Sequence, residues 1–247
     1  MEQETYPAGT PCWTVMATPD AARTAAFYSG LFGWQVAEVS AGFASLRLGG
    51  REAAGLLQLP EATRAAAEAS SRWLVYLASD DIGGHLAKVE AADGRILAPA
   101  FDVPGAGRMA VVSDPVGAEF GLWQGWGHPG AGVMGAPGSL TWAELYTRSR
   151  AAAAGFYSAV FDWAVEEVRV GQETFITCSI DGRPVAGMMR MSAAWRTRRR
   201  TGCPTSRSPT WMRRPRSLAG SAQRSSRRPT TSARAGWRCC VTRSERC

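Results

Sequence analysis

The chain has 247 residues, enough for one large domain or two ordinary ones. Its formal charge of +7 is an average of two unlike regions: residues 1–190 hold 13 basic against 20 acidic side chains, and residues 191–247 hold 15 Arg against Glu245 alone. No apolar run reaches membrane-span length, Met1–Thr10 lacks a signal core, and only Cys12 and Cys178 lie outside the basic tail, so a membrane span and a disulfide framework are excluded and a cytoplasmic protein is expected.

In chain order, Cys12–Ala17 reads as a strand, and Pro19-Asp20 supplies a helix start. Ala21–Phe32 spaces Ala25, Tyr28, Leu31 and Phe32 as one helical face, stopped by Gly33. Three strand-like runs follow: Trp34–Val39, Phe43–Leu48 and Ala53–Leu59. A polar, Ala-rich link, Pro60–Ser71, leads to a second pass of the same β-α-β-β-β order. That pass has a strand over Trp73–Ala78, a helix opened by Asp80-Asp81 and running through Ala92, and strands over Arg95–Ala98, Arg108–Ser113 and Glu119–Trp123. Turns at Asp93-Gly94, Pro104-Gly105 and Asp114-Pro115-Val116-Gly117 separate them. Gly125–Gly138 is rich in Gly and Pro and reads as a linker.

Beyond the linker the chain repeats itself. Trp13, Phe27, Tyr28, Phe32 and Trp34 recur 129 positions later as Trp142, Phe156, Tyr157, Phe161 and Trp163. A period this long marks duplication of a whole domain rather than a solenoid. The expected boundaries are a complete domain over 9–126, a linker over 127–138, the first module of a second domain over 139–191 and a tail over 192–247.

The tail loses all periodicity and becomes Arg, Ser, Thr and Pro, which at face value is a disordered basic arm. It also reads as the wrong frame of a coding sequence. Shifted by one nucleotide, Gly236–Arg243 can become Met-Ala-Val-Leu-Arg-Asp-Pro, beside Met109–Pro115 of the first domain. Thr201–Arg207 can likewise become His-Trp-Val-Pro-Tyr-Phe-Ala, beside Arg72–Ala78. On that expectation the second domain is truncated, cannot close its sheet, and exposes edges through which copies self-associate.

Paired β-α-β-β-β modules, an Ala26–Trp34 helix end and an Asp114–Gln124 closing strand resemble the glyoxalase/bleomycin-resistance/dioxygenase superfamily of vicinal oxygen chelate proteins. The Gly9–Trp13 start and the Ala100–Met109 segment are most similar to its two-domain members. The resemblance implies an α+β fold in which paired modules form a cupped, incomplete-barrel mixed sheet holding a small-molecule ligand, with a divalent metal in the enzymes.

The metal positions implied by the resemblance are occupied by unsuitable residues. Seven residues before Asp20 stands Trp13, seven after Asp114 stands Gly121, and Arg72–Ser79 contains no His, Gln, Glu or Asp. His85 falls on a helix and His128 in the linker, where both read as ordinary solvated or turn histidines. No metal ligand and no cofactor are therefore expected, a divalent metal being required only if the chain is an enzyme of this superfamily.

An aromatic set on cup strands and loops suits planar or apolar ligands. It comprises Trp13, Trp73, Tyr76, Phe101 and Trp123 in the first domain, with Trp142 and Tyr146 in the second. Glu144, on the face of Trp142, is either a polar anchor or the partner of an Arg, and Arg108 is a candidate for an anionic group. The leading function is metal-free small-molecule binding. The alternatives are a glyoxalase-like lyase or isomerase or a ring-cleaving dioxygenase, and last, nucleic-acid binding through the Arg tail.

Overall fold

A computed structural model describes residues 5–61, 71–170, 173–191 and 236–241. These belong to one compact unit, Met1–Met191 with Ala235–Cys247. The rest of the Arg-rich tail and most of the Ala-rich link lie outside the described residues.

The first module is β1 (Pro11–Thr18), α1 (Ala21–Phe32), β2 (Gln35–Ser40), β3 (Phe43–Leu48) and β4 (Arg51–Gln58). The second is β5 (Arg72–Ala78), α2 (Ile82–Ala91), β6 (Arg95–Val103), β7 (Gly107–Ser113) and β8 (Glu119–Gly125). The helix signals read from sequence are physical ones: Asp20 caps α1 by accepting from Arg23 N, Asp81 caps α2 through Gly84 N, and Gly33 ends α1 at φ 73°. Together the modules make one eight-stranded mixed sheet in the order β2-β3-β4-β1-β5-β8-β7-β6. An approximate two-fold axis runs between the antiparallel central strands β1 and β5, where Thr14 faces Val75. It relates the parallel pair Val15 and Gly55 to the parallel pair Tyr76 and Gly121.

The repeat follows as β9 (Leu140–Thr147), α3 (Arg150–Phe161), β10 (Ala164–Val170), β11 (Glu173–Ile180) and β12 (Arg183–Arg190). Asp162 ends α3 in the left-handed conformation at the position where Gly33 ends α1. The structure differs from the sequence reading in the tail. Gly236–Val241 is a strand, β13, antiparallel to β9, and completes a second sheet in the order β10-β11-β12-β9-β13. Leu145, which faces Trp237, is the repeat counterpart of Met16, which faces Trp73. β13 thus occupies the place and register of β5. Read in the shifted frame, the segment would instead stand beside Met109–Pro115, which begins in β7.

Strand alternation divides the side chains between two faces. From β5, β7 and β8, Val75, Leu77, Ala110, Val112, Phe120 and Leu122 point toward the helices. There they share one core with α2, α3 and the inner face of the second sheet, including Ala143, Leu145, Met188 and Trp237. A separate core under α1 joins Met16, Ala25, Trp34, Leu46 and Leu56. The opposite, concave face of the eight-stranded sheet is the cup.

Candidate functional site

Trp13 and Val15 from β1, Leu74, Tyr76 and Ala78 from β5, and Trp123 from β8 form the floor of the cup and are buried together. Phe43, Met109 and Val111 border them. Tyr76 lies across Gly121, where an added Cβ would fall 2.1 Å from the ring. By the two-fold relation, Phe43 and Val15 crowd Gly55, with the Phe43 ring 2.9 Å from such a Cβ. The two glycines exist because rings occupy the space their side chains would take.

At the rim, Glu52 of β4 gathers three partners. The Ser45 hydroxyl donates to Oε1 at 3.2 Å, Arg47 Nη2 lies 3.7 Å from Oε1, and His128 Nδ1 lies 2.7 Å from Oε2. His128, chiefly by hydrogen bonding, holds the Glu52 carboxyl below the usual carboxylate range, against the opposing effect of burial. The His128 ring stands edge-on to Trp13 at 4.7 Å and to Trp123 at 5.7 Å, and its backbone carbonyl accepts from Trp123 Nε1 at 2.7 Å. Arg47 Nε is buried without a hydrogen-bond partner among the described residues.

The expected site residues separate. Trp13, Tyr76 and Trp123 meet in the cup. Trp73 does not: it points to the opposite face, donates from Nε1 to the Tyr28 hydroxyl at 3.0 Å and packs on Trp34. Three positions from Tyr76 on one strand, it belongs to the other side of the sheet. Phe101 is 48% exposed on the outer strand β6. Arg108 is held by Asp102, Nε to Oδ1 2.7 Å, across the β6–β7 hairpin rather than aimed into the cup. Trp142, Glu144 and Tyr146 share a half-buried face of the second sheet, with Trp142 and Glu144 both flanking Gly187. Arg238 stands opposite Glu144 and lies 5.2 Å over the Tyr146 ring. Their alternates Ala143 and Leu145 enter the shared core. The two sheets therefore pack back to back through one core, and the predicted aromatic set falls on two opposite outer faces rather than on one.

His85 is buried under the second domain: its Nδ1 lies 2.9 Å from both Ser79 Oγ and Asp81 O, and its ring stacks on Phe161 at 5.2 Å. Nδ1 serves both polar contacts and the ring face the stacking, which makes His85 a packed residue rather than a catalytic relay. His128 also departs from the solvated-turn reading. Its contact with Glu52 spans 76 positions, and nothing in the linker composition announces it.

A divalent ion needs several converging N, O or S donors. The strand positions facing the cup hold Trp13 and Val15 of β1, Gly55 of β4, Leu74 and Tyr76 of β5 and Gly121 of β8. Of these only Tyr76 carries an oxygen, the Trp13 indole nitrogen having no lone pair to give. Burial raises the Tyr76 pKa far above its ordinary value, which keeps the phenol neutral and a poor ligand. Among the described residues no three His, Cys, Asp or Glu side chains converge. This donor set does not fit a divalent metal.

Paired β-α-β-β-β modules around a cupped sheet define the vicinal oxygen chelate fold. The family model for the Glyoxalase/Bleomycin resistance protein/Dioxygenase superfamily matches residues 12–122. The chain is 35% identical over 196 residues to the anthracycline biosynthesis protein DnrV of Streptomyces peucetius, covering 74% of this chain and 71% of that protein. The chain belongs to this superfamily.

Solved structures agree on the fold. The Mn(II)-bound glyoxalase from Novosphingobium aromaticivorans superposes with a TM-score of 0.55 at 16% identity, over 75% of this chain and 62% of that one. For 2,2',3-trihydroxybiphenyl 1,2-dioxygenase from Sphingomonas wittichii the TM-score is 0.54 at 15% identity, over 74% and 68%. This chain thus spans less than two thirds of the glyoxalase. No helix among the described residues is long and apolar enough to cross a membrane.

Proposed function

We propose that the cup of the first domain binds a flat, largely apolar small molecule without a metal ion, and that the protein acts in the cytoplasm by sequestering or sensing that molecule. The arrangement of Tyr76 over Gly121 carries this reading. Where a metal enzyme of this fold needs a donor from the closing strand, the chain has no side chain and a ring fills the gap. Without the ion, neither carbonyl polarisation nor dioxygen activation is provided for, so no catalytic step is assigned. What the residues do is bind: Trp13 and Trp123 offer ring surfaces, Tyr76 closes the floor, and Glu52 orients a polar group at the rim. The place of DnrV in anthracycline biosynthesis agrees with a flat aromatic ligand.

The test is metal content and ligand response of the full chain after dialysis against Mn, Fe(II), Ni and Zn. Loss of all four on desalting is expected, together with quenching of tryptophan emission by flat aromatic ligands. Near-stoichiometric retention of one ion, with turnover that depends on it, would instead establish a metal-dependent lyase, isomerase or dioxygenase. The superposition on a Mn(II)-bound glyoxalase is the observation favouring that second reading. Nucleic-acid binding ranks last: it needs the Arg tail, nearly all of which lies outside the described residues, and predicts affinity that falls steeply with salt. Self-association is proposed along β13, an outer strand of the second sheet.

A further inference from the structure

The cup is covered by the chain itself. Tyr6, Ala131 and Met134 pack onto its floor residues, although none of the three belongs to the eight-stranded sheet. The covering strap runs from Trp126 to Met134 and is fitted closely. The amides of Trp126, Gly127 and His128 all point to the Ala106 carbonyl, Ala131 N donates to Cys12 O, and Gly132 N donates to Glu52 O. A Cβ on Gly127 would lie 2.1 Å from Gly105 O, and one on Gly130 would lie 2.5 Å from Cys12 O. The Tyr6 hydroxyl ties the N-terminal segment to the strap by donating to Ala131 O.

Irregular segments near a chain end and between domains are where local opening is easiest. The strap is such a segment, and Trp126 at its root is 59% exposed. At its tip it sets a flat ring with an N–H edge-on to Trp13 and Trp123, with that N–H directed at the Glu52 carboxylate. Nothing about this arrangement requires that the ring belong to the protein.

Resting on the reading of the cup as a ligand site, we propose that the strap is a displaceable internal substitute for the ligand, and that His128 marks its chemistry. The ligand is a flat ring system bearing an N–H donor or a positive charge. It takes the His128 position beside Glu52 as the strap and Tyr6 lift away. Ser45 and Arg47 hold the Glu52 carboxylate in place through the exchange.

Indole and benzofuran are close to isosteric and differ in the donor, so they serve as probes for the full chain. Calorimetry measures binding, and hydrogen exchange reads the Ala131 and Gly132 amides. Indole is expected to bind at least tenfold more tightly than benzofuran, to speed exchange in the strap but not in β1 or β5, and to lose its advantage in Glu52→Gln. His128→Gly is expected to bind indole or imidazole more tightly than wild type, because the internal competitor is gone. Gly130→Ala, whose Cβ would push the strap off the Cys12 carbonyl of β1, is expected to do the same. If the His128→Gly variant binds but wild type does not, or if wild type binds with no change in strap exchange, the strap is a fixed cover and the proposal fails. If no variant binds either probe, however freely the strap exchanges, the cup is not a ligand site, and the proposed function fails and takes the displacement with it. Equal affinity for the two probes removes the donor requirement.

Discussion

Trp237 Nε1 donates to the Tyr157 hydroxyl at 2.9 Å, and Trp73 Nε1 donates to the Tyr28 hydroxyl at 3.0 Å. Tyr28 and Tyr157 are repeat counterparts, but Trp73 and Trp237 come from segments with no shared sequence beyond the indole. Each tryptophan also meets its repeat partner ring edge-on, Trp73 on Trp34 at 6.3 Å and Trp237 on Trp163 at 6.0 Å. The fifth strand of each sheet is therefore pinned by the same bond at the same register.

Trp237→Ala is expected to cost about 3–5 kcal/mol in the second domain, the usual range for emptying a large buried ring site. Trp237→Phe, which keeps the ring and drops the donor, should cost about 1 kcal/mol. Urea unfolding of the full chain measures both. Equal stability of all three chains would mean that β13 is not docked.

Thiol labelling gives a second readout of that docking. Cys178 and Cys239 are pushed up to about 12 by burial, and Cys12 further still, so all three should resist alkylation at pH 8. Cys240 is exposed on the same strand and should label ahead of these three. Cys239 labelling as fast as Cys240 would show β13 detached.

Gly121→Ala should destabilise the first domain by about 1–3 kcal/mol, through overpacking against the Tyr76 ring. Tyr76→Leu, by vacating that volume, should recover most of the loss in the double variant. Thermal unfolding of the four chains in a cycle gives the coupling, and a purely additive result would place Tyr76 elsewhere.

The rim carries an acid dependence of stated sign. Glu52 has its folded pKa lowered by His128, Ser45 and Arg47, so it stabilises the fold above the ordinary carboxylate range. That contribution is lost as pH falls through the lowered value. Glu52→Gln should lower stability at neutral pH, flatten the acid limb of a stability–pH curve and leave the slope above pH 8 unchanged. An unaltered acid limb would remove Glu52 from the account.

Much of the fold was legible because its signals are local. Asp20, Asp81 and Gly33 cap or stop helices where the sequence placed those boundaries, and the repeat of Trp13 through Trp34 announced a second copy. The site was legible in part. Trp13, Tyr76 and Trp123 are cup residues, but Trp73 was misplaced even though strand periodicity already set it opposite Tyr76. Arg108 reads in sequence as a candidate for an anionic group, yet it is engaged by Asp102, a hairpin partner six residues away. The contact of His128 with Glu52 depends on where the linker crosses the sheet, which no local pattern encodes. β13 escaped for a further reason. Its inward side chains, Trp237, Cys239 and Val241, alternate over only three positions inside an Arg-rich stretch, too short a pattern for a strand signal to stand out.

The back-to-back arrangement of the two sheets separates what the duplication holds in common from what it leaves free. Substitutions in Val75, Phe120, Leu145 or Phe161 are felt by both copies at once, because those side chains fill a single interior. Substitutions at Trp13 or Tyr76 are felt on one face only, and those at Trp142 or Tyr146 only on the other. The two copies are thus tied to a joint history in their packing, while each remains at liberty to change, or to abandon, whatever it once held.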